Sequence, residues 1–130
     1  MVVRKAAVVS FEWQERHVVS GNQVTADELK LFTENDGDIY RSQTLPILKN
    51  LATKKAKGVY KHDLAVKLFM YLAERGAKDY AKEHGGGVAW HQMFSVPVRK
   101  IAAEEWANEF EAEYKNGEYD HLLPKKYQKK

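Results

Sequence analysis

The sequence predicts a mainly α protein: a compact bundle of about four helices preceded by a short N-terminal extended arm or hairpin. Three observations lead there. Apolar residues recur every three to four positions from Thr25 onward, the spacing of one face of an α-helix. Helix-stopping glycines fall between the periodic segments. The chain has 130 residues, 44% hydrophobic and 30% charged, which suits one domain with a single core.

Residues 1–24 form the first division. Val2–Trp13 and His17–Val19 are rich in Val, Phe and Trp and read as strands, with Ser20-Gly21-Asn22 as a turn. The run Ala6–Val9 is too short for the apolar core of a secretory signal. The helical domain then spans 25–117. Thr25-Ala26-Asp27-Glu28 has the form of a capping box, and Leu29, Leu31 and Phe32 follow on a helix of about three turns. Asn35-Asp36-Gly37 ends that helix, and Asp36 can cap the next.

The second helix is expected from Asp38 to Lys57, with Tyr40, Thr44, Ile47, Leu48 and Leu51 on its apolar side and Gly58 as its left-handed stop. Pro46 frees the carbonyl of Ser42, so a kinked helix is expected, with Thr44 as a fresh N-cap the alternative. Asp63–His84 carries the widest apolar face, from Leu64, Ala65, Leu68, Phe69, Leu72 and Ala73 to Ala77 and Tyr80. Gly85-Gly86-Gly87 stops it. A P-loop would need a preceding strand and a following Lys-Ser/Thr, and neither is present. Val88–Phe94 reads as one short turn. Val96–Lys115 is the last helix, capped by Ser95, with Pro97 in its first turn and Ile101, Ala102, Trp106, Phe110 and Tyr114 along one side. Gly117 closes it. Residues 118–130 form a basic tail, too short for a core element, that Leu122 and Leu123 could anchor.

The net charge of +3 hides a segmentation. Residues 49–82 are strongly basic and 83–120 strongly acidic, which suits a surface with faces of opposite sign. The chain has no cysteine, which excludes disulfides, thiolate zinc sites and a cysteine nucleophile. No apolar run is long enough to span a bilayer, so no membrane association is expected. The expected location is the cytoplasm.

Two surfaces stand out. Trp90, Met93 and Phe94 concentrate aromatic and thioether area in one turn and are the candidate protein-docking patch, because such residues are enriched at interfaces. The competing reading is core packing. Lys54, Lys55, Lys57 and Lys61, within the basic stretch Lys49–Lys67, join Lys125 and Lys126 of the tail as the candidate nucleic-acid-binding set, with Tyr60 able to stack on a base. Here the competing reading is a solvated face paired to the acidic last helix. A hydrolytic role for His91 or for the Glu105/Glu109 pair is the third option. Without His at a matching offset, no metal site, cofactor or catalytic set is assigned. An extended N-terminal arm would permit a homodimer.

The stretches ELKLFTENDGDIYRSQTLPILKNLATKKAKGVY, AVKLFMYLAERGAKDYAKEHG, WHQMFSVPVR and YDHLLPKKY resemble small helical proteins of phage and prophage gene neighbourhoods, over about residues 26–127. This resemblance implies an accessory protein of a mobile element and carries over no active-site residue. The expected function is therefore non-enzymatic binding of a host or phage macromolecule, a protein first and a nucleic acid second.

Overall fold

In the computed structural model, residues 21–128 are described, and among them there is no strand. Four main helices account for most of the chain: α1 (Gly21–Glu34), α2 (Leu45–Lys57), α3 (His62–His84) and α4 (Val96–Lys115). The expected strands at 2–13 and 17–19 lie outside the described residues. The expected boundary between residues 24 and 25 falls inside α1, whose first turn contains Gly21 and Asn22 rather than a reverse turn.

Thr25 accordingly does not cap. Its hydroxyl donates to the Gly21 carbonyl at 2.8 Å, one turn back. Thr33 does the same with the Leu29 carbonyl at 2.7 Å. Threonine satisfies its own hydroxyl this way inside a helix, and that removes the pressure to sit at the end. Asp36 does cap: its carboxylate accepts from the Ile39 backbone N–H at 3.0 Å.

The chain from Gly37 to Lys57 is helical throughout but not uniform. A single α turn (Gly37–Ile39) leads into a π-turn (Tyr40–Thr44), in which the Leu45 N–H reaches the Tyr40 carbonyl, and then into α2. The irregularity thus lies ahead of Pro46, and Thr44 makes no side-chain cap. Pro46 has no N–H to complete an α ladder, so the widened turn takes up the mismatch. It also shifts the helical phase. Ile39 is buried and Tyr40, expected on the apolar side, is 43% exposed. Gly58 adopts φ +78°, and the N–H of Val59 returns to the Lys54 carbonyl at 2.9 Å. That left-handed turn costs a β-carbon-bearing residue more than glycine.

Helix α3 is the centre of the molecule. Its most extensive contact is with α4, and α1 packs across both. Ala65, Phe69, Leu72, Ala73, Gly76 and Ala77 of α3 and Val98, Ala102, Ala103, Trp106, Ala107 and Phe110 of α4 are all buried. Alanines on the facing stripes let the backbones approach, and the large rings of Phe69, Trp106 and Phe110 fill the space between the layers. Each such ring removed from water contributes ~2–3 kcal/mol. Gly76 packs against Thr33 of α1: a methyl there would lie 2.0 Å from the Thr33 hydroxyl oxygen.

After α3, Gly86 and Gly87 take positive φ and release the chain into the short turn Trp90–Met93. Helix α4 starts at Val96 as expected, although Ser95 makes no side-chain cap. Gly117, at φ +82°, folds the tail back. The tail is more than a basic extension. The Tyr119 ring stacks on Phe110 at 5.2 Å, Leu123 is buried, and Tyr127 packs against the core.

Candidate functional site

Helix α2 (LPILKNLATKKAK) carries Ile47, Leu51 and Ala52 into the core. On a helical period this turns Lys49, Asn50, Thr53, Lys54 and Lys57 outward together. These residues, with Pro46 and Val59, line a groove of about 590 Å³. The left-handed turn at Gly58 brings Val59, 55% exposed, to the groove's end. A second recess of about 360 Å³ shares Lys49 and Thr53 and runs to His121, Leu122, Leu123 and Pro124. Lys125 and Lys126 follow Pro124 directly in a 3₁₀ turn. The basic face of α2 and the basic tail therefore adjoin, although 68 positions separate Lys57 from Lys125 in sequence.

No acidic residue occurs between Ile39 and His62, whereas this stretch contains Arg41 and five lysines. Among the described residues, Lys49, Lys54, Lys57, Lys61 and Lys125 have no carboxylate at ion-pair distance. Their mutual repulsion is left for a ligand or counterions to neutralise. Lys55 differs. Its ammonium lies over the rings of Tyr60 (4.8 Å) and Tyr114 (5.7 Å), on the side of α2 that faces α4. Tyr60 points the same way. It tilts against Phe110 and donates its hydroxyl to Glu111, so it is not presented to a base in the groove. Burial, together with Glu111, holds that phenol above its ordinary range.

Of the candidate protein-docking patch, Phe94 belongs to the core. It is 1% exposed and meets Tyr80 edge-on at 5.1 Å. Trp90 and Met93 are half-buried. Arg99 (4.8 Å) and Lys78 (5.3 Å) both lie over the Trp90 ring, and Arg99 Nε also donates to the Phe94 carbonyl at 3.0 Å. Val88 and Val96, at 48% and 56% exposure, flank this turn.

The Glu105/Glu109 pair is bridged by an ammonium. Lys30 of α1 reaches Glu109 at 2.6 Å and Glu105 at 3.3 Å, which relieves the repulsion of carboxylates four residues apart. Burial alone would lower the Lys30 pKa; the two carboxylates outweigh it and raise it. His91 is exposed against Trp90, with ring centroids 5.5 Å apart. Among the described residues no three His, Asp or Glu side chains are arranged to hold a metal ion.

A polar cluster that sequence reasoning missed joins Tyr60, His62 and Glu111. His62 Nδ1 lies 2.7 Å from the same carboxylate that Tyr60 contacts. Burial pushes the Glu111 pKa up, but these hydrogen bonds and the charges of His62 and Lys55 bring it below the ordinary carboxylate value. No local pattern signals a contact between residues 49 and 51 positions apart. Comparison with family profiles, curated proteins and solved structures finds no match to this chain.

Proposed function

We propose that this chain is a non-enzymatic binding module that docks the phosphate backbone of a nucleic acid along α2 and the C-terminal segment. The observation that carries this reading is the alignment of Lys49, Lys54 and Lys57 in one groove without acidic partners, continuous with the recess that leads to Lys125 and Lys126. Backbone neutralisation by several lysines on one face supplies affinity without base readout. Such a role suits an accessory protein of a mobile element. No described helix is long and apolar enough to cross a membrane.

Fluorescence anisotropy with labelled duplex and single-stranded DNA tests the proposal. With three to five phosphates neutralised, affinity for duplex falls roughly 40- to 500-fold between 50 and 200 mM salt. The paired change Lys54→Glu and Lys57→Glu removes most of the binding, and Lys55→Glu leaves most of it. Absence of binding at low salt, or binding indifferent to salt, overturns the proposal.

A second reading, a protein partner at Trp90 and Met93, is favoured by the exposed Val88 and Val96 beside them. Under that reading Val88→Asp with Val96→Asp abolishes recovery of a co-purifying protein, and the α2 lysine variants do not.

A further inference from the structure

The end of α1, the π-turn, α3 and α4 meet around a recess of about 300 Å³ that lies apart from the lysine groove. Phe69, Leu72 and Phe110 give it an apolar floor. Three aromatic side chains, Tyr40, Trp106 and Tyr119, stand around it. Three carboxylates, Glu34, Glu109 and Glu113, complete the lining. The π-turn makes this arrangement: it brings Tyr40 and Thr44 to the recess while Ile39 and Ile47 stay in the core. Single π-turns inside helical segments are often found at functional sites.

The electrostatics have a definite sign. Glu34 accepts from the Trp106 indole N–H at 2.7 Å, and Glu113 accepts from the Tyr119 hydroxyl. Both donors are neutral. Burial and the neighbouring Glu113 and Glu118 hold the Tyr119 phenol above its ordinary range, so it stays a donor. Among the described residues no cationic side chain pairs with Glu34 or Glu113. Glu109 is paired with Lys30, so an ammonium group already sits at the edge of this surface. Aromatic faces add negative potential to that of the carboxylates. An anion would be repelled. Among the described residues the three carboxylates are not grouped to hold a metal ion. Apolar floor, aromatic walls and two uncompensated carboxylates together match an ammonium group on a small carbon skeleton.

We propose that this recess binds a small organic cation, a quaternary or primary alkylammonium, with Tyr40, Trp106 and Tyr119 facing the ligand and Glu34 and Glu113 supplying the countercharge.

Titration of the full chain with choline, tetramethylammonium and butylammonium, followed by the NMR resonance of the Trp106 indole N–H, tests this. The resonance is assigned by its loss in Trp106→Phe. At least one of the three cations is expected to shift it saturably, and choline to bind at least about fivefold more tightly than its neutral isostere 3,3-dimethylbutanol. Glu34→Gln and Glu113→Gln each weaken choline binding at least about threefold, because an amide keeps the hydrogen bond to Trp106 or Tyr119 and loses the charge. Glu74→Gln on α3, outside the recess, leaves it unchanged. Lys54→Glu with Lys57→Glu also leaves it unchanged, which separates this site from the nucleic-acid proposal. No saturable shift with any of the three cations, or equal affinity for the neutral isostere, overturns the inference. The isostere comparison uses the unaltered chain and so does not depend on any variant folding.

Discussion

Replacing Gly76 by alanine probes the tight contact between α3 and Thr33 of α1. The added methyl would stand 2.0 Å from Thr33 Oγ1, 3.1 Å from its Cβ and 3.3 Å from its Cγ2. Rotating Thr33 does not solve the clash. It would break the 2.7 Å bond to the Leu29 carbonyl, and Thr33 Cβ would still be too close. Thr33 is 1% exposed, so no solvent space receives a displaced hydroxyl. Helices α1 and α3 must therefore move apart. Overpacking of a tight core costs up to ~3 kcal/mol. Alanine gains ~1 kcal/mol over glycine in a helix interior. The net expectation is a destabilisation of ~2 kcal/mol, which for a chain of this size lowers Tm by ~8 °C. Urea denaturation and thermal melting followed by far-UV circular dichroism read both numbers. Thr33→Ala in the Gly76→Ala background removes the two most mobile obstructing atoms, and a double-mutant cycle should give a coupling of ~1 kcal/mol or more. A Gly76→Ala variant as stable as the parent, or a coupling of zero, would refute the argument.

Other perturbations follow from the same contacts. Trp106→Phe loses the indole bond to Glu34 and leaves a gap beside Phe69, 6.0 Å away; a loss of about 1–2 kcal/mol is expected in urea titrations. Lys30→Met leaves Glu105 and Glu109 facing each other without their ammonium, and the resulting loss of stability should shrink as salt is raised from low to moderate concentration. Because the Lys30 pKa is raised, its contribution is complete below pH 10.5 and is lost as pH rises through the folded-state value. Glu111 has the opposite sign: its pKa is lowered from 4.5, so its stabilisation is complete above that pH and is lost as pH falls through the folded-state value. Melting temperatures of the parent and of Glu111→Gln should therefore differ at neutral pH and converge in acid, and a gap that persists in acid contradicts the assignment.

Local patterns located the helices well. The capping role of Asp36, the stop at Gly58, the long helix ending at His84 and the span Val96–Lys115 are all written in neighbouring residues, because caps, glycine turns and apolar periodicity act within one or two turns of chain. Thr25 went the other way for an equally local reason: a hydroxyl that can return to the carbonyl four residues back has no need to cap. The apolar phase near Tyr40 was misread because nothing in composition announces a π-turn, whose extra residue moves the next side chains around the helix. Basicity of α2 was plain in the sequence, but which lysines share a groove was not; Lys55 turns toward Tyr60 and Tyr114 only because α4 supplies a ring and a carboxylate there.

What the sequence determined by itself is the helical class, the positions of the four main helices and the separation of basic from acidic segments, since each depends on residues close along the chain. The tertiary structure alone decided that Lys30 neutralises the Glu105/Glu109 pair, that Phe94 is core, that the tail joins the basic face, and that Glu34, Trp106, Glu113 and Tyr119 enclose one recess. Those meetings bring together side chains from different helices, and helix-on-helix packing, rather than chain proximity, fixes which of them face one another.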